Sequence, residues 1–340
     1  MKVWMFPKTN KENPYNNMLS SSIEKYGVNV TNFRQRNFLD IKKNEILHLH
    51  WPHSLYQSNS LMVMTFKAIA LILVLSVLKL KGSKIVWTLH NLYPHKYKYK
   101  FMEKIIRKKI ISISNLIITA GEFIKKEAIN EFNIENKHIE VIPIGNYVEL
   151  YNQERSMYDI RQKYNIPEKN FIFLFCGAIK EYKGVIELLE SFIKLKEKKN
   201  NISLIIAGKP DYFMNQKLNK YLGTENIYLD LRFIPDDELS TLLDNCNAVV
   251  LPFKNITTSS SAILALSFYK PIVALDAPFF REYFDDNTSV LFNNIGGLSY
   301  AMEKIMKLTI DKSTFDKRII DLDWERIGNQ MKKIYLGLYN

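Results

Sequence analysis

The chain has 340 residues, 47% hydrophobic and 24% charged, with 47 Lys and Arg against 35 Asp and Glu for a net charge of +12. That balance excludes a disordered chain, and the length suits two domains of ~100–200 residues each. Two cysteines far apart, Cys176 and Cys246, exclude a CxxC metal site, argue against a disulfide-stapled fold and read as buried thiols.

The first six residues, Met1-Lys2-Val3-Trp4-Met5-Phe6, run straight into a polar loop. They read as a strand, too short for a signal-peptide core, so a cytoplasmic protein is expected. Strand-type apolar runs follow at 46–50, 85–89, 116–119 and 139–143, with helical patterns at 16–26, 61–80 and 98–113 between them. After the polar stretch 147–170 a second series opens, with strands at 171–176, 203–207, 227–231, 248–251 and 271–274 and a helix at 184–198. Strands alternating with helices predict parallel sheets covered by helices, hence an α/β chain of two doubly wound domains, at 1–150 and 165–320, of about five strands each. The stretch 323–340 holds an amphipathic helix with Trp324, Ile327, Met331, Ile334 and Tyr335 on one face.

The basic excess suits nucleic acid, an anionic membrane or phosphorylated small molecules. No zinc-finger spacing, RNP-type aromatic run or basic-leucine heptad accompanies it, so nucleic acid is set aside. Between Lys67 and Lys79 lie eleven residues, all apolar but Ser76. That is short of the ~20 apolar residues of a membrane span, so a buried or interfacial helix is expected. The runs Lys96-Tyr97-Lys98-Tyr99-Lys100 and Arg107-Lys108-Lys109 beside it suit the surface of an anionic membrane. The alternative is a solvated basic face next to a core helix.

The second domain opens with a buried strand running into Gly177, then a loop with Lys180 and Lys183, then a helix from Gly184. A strand-to-helix turn lies at the carboxyl edge of a parallel sheet, where doubly wound folds bind ligands. Two ammonium groups there, beside a helix N-terminus, can neutralise a diphosphate. Five hydroxyl residues, Thr257, Thr258, Ser259, Ser260 and Ser261, precede a second apolar helix. Such a start caps the helix and leaves backbone N–H groups for an anion. Asp321-Leu-Asp323 has a metal-nucleotide spacing, but it precedes the last helix and reads as a cap. There is no Walker A or GxGxxG pattern, and no carboxylate at a zinc-like spacing from the histidines.

Gly177 with Lys183-Gly184 six positions on, Leu204-Ile-Ile-Ala-Gly208, and the segment from Phe233 to Phe253 together resemble the retaining glycosyltransferases of family 4. The resemblance covers most of 171–300. It implies two Rossmann-like domains facing across a cleft (GT-B), with the C-terminal helix packing back on the first. It also implies donor contacts from Gly177, Lys180, Lys183, Thr258, Ser259, Ser260 and Ser261, with the backbone of Arg232, Phe233 and Ile234 at the nucleobase. The chain departs from the family at Ala178, where many members carry arginine, and at Ile256 and Leu264, where many carry a glutamate pair.

In the first domain His50 and His90 each follow a strand. The run Trp87-Thr-Leu-His-Asn-Leu with its later Pro94-His95 resembles the transferases of exopolysaccharide and capsule assembly. Ile142-Pro-Ile-Gly-Asn-Tyr147 resembles their domain end, with Ile144 in place of a histidine, and 13–19 resembles the acceptor-side loop. This implies acceptor contacts from Tyr15, His50, His90, Asn91 and Asn146, with His90 and Lys183 as the catalytic residues. The expected reaction moves a sugar from a UDP- or GDP-linked donor to a glycan or lipid-linked acceptor, with no metal or other cofactor. The enzyme would work peripherally at the inner face of the cell membrane. A non-catalytic nucleotide- or sugar-binding partner subunit and a nucleotide-sugar isomerase are the alternatives.

Overall fold

The computed structural model describes residues 1–10, 13–94, 97–135, 138–151, 158–254 and 256–339. The chain forms two units, Met1–Gly145 with Leu322–Asn340, and Asn146–Asp321.

The first unit begins β1 (Lys2–Phe6), α1 (Tyr15–Lys25), β2 (Asn29–Asn32), β3 (Ile46–Leu49), α2 (His53–Tyr56) and α3 (Leu61–Leu80). It continues β4 (Lys84–Thr88), α4 (Lys100–Ile113), β5 (Leu116–Thr119), α5 (Glu122–Phe132) and β6 (Ile139–Val141). Its sheet is parallel throughout, in the order β2-β1-β3-β4-β5-β6. The strand order reverses between β1 and β3, which opens a crevice at their carboxyl ends.

The second unit opens α6 (Val148–Tyr151), α7 (Ile160–Tyr164), β7 (Phe171–Cys176), α8 (Val185–Lys196), β8 (Ile202–Ala207), α9 (Tyr212–Leu218) and β9 (Ile227–Asp230). Then come α10 (Asp236–Asn245), β10 (Ala248–Leu251), α11 (Ser260–Ser267), β11 (Ile272–Leu275), α12 (Pro278–Tyr283), β12 (Ser289–Phe292), α13 (Leu298–Ile305) and α14 (Lys312–Asp321). The sheet order is β12-β11-β10-β7-β8-β9, again parallel, and it reverses between β7 and β10. Both cysteines are free and buried in this unit.

Each sheet has six strands rather than about five. The missed strands, β2 and β12, are edge strands of four residues. In β2 only Val30 is buried, so no apolar run marks it in the sequence.

The last helix, α15 (Trp324–Gly337), belongs to the first unit. Asp323 caps it, accepting from the backbone N–H of Glu325 and Arg326. Gly328 lets it lie close on α1, since a Cβ there would stand 2.5 Å from the Ser22 carbonyl oxygen. Near its end the Tyr335 hydroxyl bonds His48 Nδ1 at 2.6 Å, and His48 Nε2 bonds Thr88 Oγ1 at 2.7 Å. A histidine bridging helix and sheet therefore has both ring nitrogens satisfied inside the core.

Helix α3 runs 20 residues with a mean hydropathy of 2.5 over an 18-residue window. By length and composition it could cross a membrane, contrary to the short apolar stretch read from the sequence. In the fold one of its faces is core: Met64, Ala68, Leu71, Leu75 and Leu78 are buried. The opposite face leaves Met62, Phe66, Leu73 and Leu80 exposed.

Burial drives the pKa of His48 down to about 3, and the nearby His90 adds to the effect. The unfolded chain takes up this proton near the ordinary value of 6.5, whereas the folded chain does not until about 3. Stability is therefore full above the unfolded value and is lost as pH falls through that window. His48→Gln is expected to flatten part of this loss. Guanidinium unfolding midpoints measured across the window check it, and a slope that the substitution leaves unchanged refutes it.

Candidate active site

In the second unit the carboxyl ends of β7 and β10 flank the strand-order reversal. β7 runs straight into Gly177, at φ +117°. A Cβ placed there would lie 3.4 Å from Lys183 Nζ and 3.8 Å from Ser261 Oγ, so lysine and serine converge on the space that the glycine leaves open. Lys183 ends a short 3-10 turn, Glu181–Lys183, and Gly184 follows at φ +68° to start α8. Any side chain at Gly184 would collide with the Pro252 carbonyl, so the tight turn that aims Lys183 requires glycine.

Lys183 is mostly buried, and its ammonium lies 5.3 Å from the Phe253 ring. Burial lowers its pKa, Lys180 adds to the lowering, and Cys176 opposes it. Among the described residues no carboxylate pairs with it. A desolvated cation without a counter-ion is costly, and an anion bound here removes that cost. Ser259 caps α11, its Oγ accepting from the Ala262 N–H at 3.1 Å. Ser260 and Ser261 then form the first helical turn, whose unpaired N–H groups favour the same anion. Lys180 and Ser260 are exposed, and Thr258 is half-buried. Asn255, at the head of this loop, lies outside the described residues.

Arg232 is exposed but engaged, with Nε 2.9 Å from Asp230 Oδ1 and Nη1 2.8 Å from Glu238 Oε1. Its guanidinium is thus spent on structural carboxylates. Phe233 is exposed beside it and Ile234 is buried.

In the first unit the crevice between β1 and β3 gathers Tyr15, His50 and His90. His50 Nδ1 and His90 Nε2 are 3.2 Å apart. Trp51 stacks on His90 at 4.7 Å, and Tyr15 meets both imidazoles edge-on. Trp324 of α15 packs edge-on against Tyr15. His50 Nε2 is buried with no partner among the described residues. Burial is the largest influence on both histidines, taking His90 down to about 3 and His50 well below its ordinary value, so both rings are neutral near pH 7. Neutral imidazoles can accept from or donate to a hydroxyl. No group of three or more His, Cys, Asp or Glu able to hold a metal occurs among the described residues.

Asn91 is half-buried next to His90, and its carbonyl is held by Arg107. Asn146 belongs to the other unit, where its side-chain amide donates to the Ile319 carbonyl and its oxygen accepts from the Val148 N–H. Arg107, read from the sequence as part of a surface basic cluster, is buried and paired with Glu103. His95 and Lys96 lie outside the described residues. The sequence reading missed Trp51, Trp324, Glu103 and Arg107. The i,i+4 spacing of Glu103 and Arg107 along the inner side of α4 is the signal that marked the last two.

A family model of glycosyl transferases group 1 matches residues 156–320, and one of glycosyltransferase family 4 matches 33–146. The chain is 26% identical over 264 residues to the GDP-mannose:glycolipid 4-beta-D-mannosyltransferase of Xanthomonas campestris pv. campestris, covering 77% of this chain and 69% of that protein. It is 31% identical over 94 residues to the lipopolysaccharide 1,2-N-acetylglucosaminetransferase of Salmonella typhimurium, 28% of this chain and 24% of that one. Its fold matches Anabaena HepE, solved in complex with UDP, at a TM-score of 0.72 and 14% identity over 99% of this chain and 100% of the other. With a family 4 domain in its first unit and a group 1 domain in its second, the chain is a glycosyltransferase of the GT-B class.

Proposed function

We propose that this enzyme transfers a hexosyl residue from a UDP- or GDP-linked sugar to a hydroxyl of a glycan or lipid-linked acceptor, in the synthesis of a bacterial surface polysaccharide. The observation that carries this reading is Lys183, a mostly buried ammonium with no carboxylate partner among the described residues, aimed with Ser261 at the open space over Gly177. In this reading the second unit holds the donor. Lys183, Lys180 and the start of α11 stabilise the departing diphosphate, a charge that develops as the glycosidic bond breaks. The first unit holds the acceptor, with Tyr15 and Asn91 beside it and the neutral His50–His90 pair orienting its hydroxyl. No metal is needed, because lysine and helix N-terminus supply the positive charge. Retention of anomeric configuration follows the family 4 resemblance, with the leaving phosphate taking the acceptor's proton. Ile256 and Leu264, where many relatives carry glutamates, favour one second reading: a non-catalytic nucleotide- or sugar-binding subunit.

A cytoplasmic enzyme resting on the inner face of the cell membrane completes the proposal. Helix α3 packs on α4, and between them they expose Met62, Phe66, Leu73, Leu80, Phe101 and Ile105. Lys67, Lys79, Lys98, Lys100, Lys108 and Lys109 are exposed on or next to these helices. Helix α3 has no acidic residue, and the single one on α4, Glu103, is buried. Two helices that expose apolar side chains and lysines but no carboxylate of their own suit anionic lipid.

Turnover with UDP- and GDP-sugars decides between enzyme and binding subunit. It is expected to persist in excess EDTA and to give a product whose anomeric proton, read by NMR, keeps the donor's configuration. Nucleotide binding with no transfer would establish the binding subunit instead.

Lys183→Ala is expected to lower kcat/KM by ~10²–10³, the range for one preorganised charge-stabilising donor. The fold is expected to survive, since the lysine sits in a turn. Near-normal activity in the folded variant rules the phosphate grip out.

The chain is expected to float with anionic vesicles at low salt and to be released at high salt. Each cation near such a surface contributes about 1 kcal/mol, so changing Lys98, Lys100 and Lys108 together to Glu should weaken binding by at least about a hundredfold. If the wild-type chain stays in the lower fractions at low salt, the membrane reading is wrong.

A further inference from the structure

Glu103 and Arg107 lie one turn apart on α4, their side chains 1% and 3% exposed, with Oε2 and Nε 3.4 Å apart. A buried ion pair is a weak source of stability, because desolvating two charges offsets most of their attraction and apolar residues of similar volume often serve as well. Its remaining partners point to another use. Glu103 accepts from the Tyr56 hydroxyl at 2.8 Å and from Gln57 Nε2 at 3.3 Å, at the end of α2, the short helix that follows the loop leaving β3 through His50. Arg107 Nη1 donates to the Asn91 carbonyl at 3.2 Å, and its guanidinium carbon lies 5.4 Å from the Trp87 ring and 6.0 Å from the Tyr93 ring. These residues bracket the loop that leaves β4 through His90. One side chain of the pair therefore grips each histidine-bearing loop, and the two loops meet in the His50–His90 hydrogen bond and the Trp51–His90 stack.

We infer that the Glu103–Arg107 pair is the positioning element of the acceptor side, holding the two loops in register so that His90 presents its ring to the acceptor hydroxyl. This rests on the reading that His90 takes part in transfer. The role belongs to arginine in particular: a lysine keeps the charge but has no planar fork to lie on Trp87 while donating to Asn91.

Changing both residues together, Glu103→Leu with Arg107→Met, removes the pair without stranding a buried charge, so the fold should hold, at a lower melting temperature because the Tyr56 hydroxyl and the Asn91 carbonyl lose their partners. The expected result is a fall in kcat of about 10²-fold, the cost of displacing a catalytic group by about 1 Å. Donor KM should stay within about twofold, because that site is built from the other unit's residues. The imidazole nitrogen resonances of His50 and His90 should shift. Arg107→Lys, which keeps the charge pair, should lower kcat less, and it serves as the deciding variant if the double variant does not fold. His90→Ala is measured alongside. If His90→Ala is impaired while the folded double variant, or failing that Arg107→Lys, keeps wild-type kcat and histidine resonances, the positioning role is overturned. If His90→Ala itself turns over normally, the reading beneath it falls.

Discussion

In a parallel sheet every strand ends at the same edge, and wherever the strand order reverses two neighbouring loops part and leave a crevice. Both units of this protein are governed by that constraint. In the second unit it brings Gly177, Lys183 and Ser261 together from two segments about eighty residues apart in the chain. In the first it brings Tyr15, His50 and His90 together. The glycines at 177 and 184 follow from the same geometry, since the backbone turns sharply at that edge and neighbouring loops crowd it.

The two crevices differ in electrostatic character. Among the described residues the second unit offers positive charge with no internal counter-ion, an arrangement suited to an anion that arrives and leaves. The first offers neutral rings, His50 and His90, whose burial disfavours the charged form. The ion pair buried beneath the histidine loops carries no net charge. That division matches a transfer between a charged donor and a neutral hydroxyl.

Much of this was legible in the sequence, because it depends on local pattern. Apolar runs marked ten of the twelve strands. The spacing from Gly177 to Lys183 and the serine run before α11 singled out residues that the fold brings together, and Asp323 read as a cap. The rest was decided by packing and by side-chain pairings that an apolar pattern does not show. The apolar face of α3 divides into core and exposed halves only when β4 and α4 pack on one side of it, so composition alone under-read its length and exposure. Arg107 looked like a neighbour of Lys108 and Lys109, yet helix periodicity turns it inward onto Glu103. The Arg232 charge is taken up by Asp230 and Glu238, two and six residues away, a pairing that the apolar pattern does not show.

The chain leaves its first unit at Gly145, builds the whole of the second, and returns only with α15. During synthesis the unit whose residues emerge first is therefore the one finished last. Until α15 arrives, His48 lacks its tyrosine partner, Tyr15 lacks Trp324, and the side of α1 around Ser22 lies open to water. The second unit needs no such wait, since all of its strands lie in one uninterrupted stretch. A ribosome that stalls anywhere between Asn146 and Asp321 thus releases a first unit with an open apolar flank, the kind of surface that draws aggregation or a chaperone.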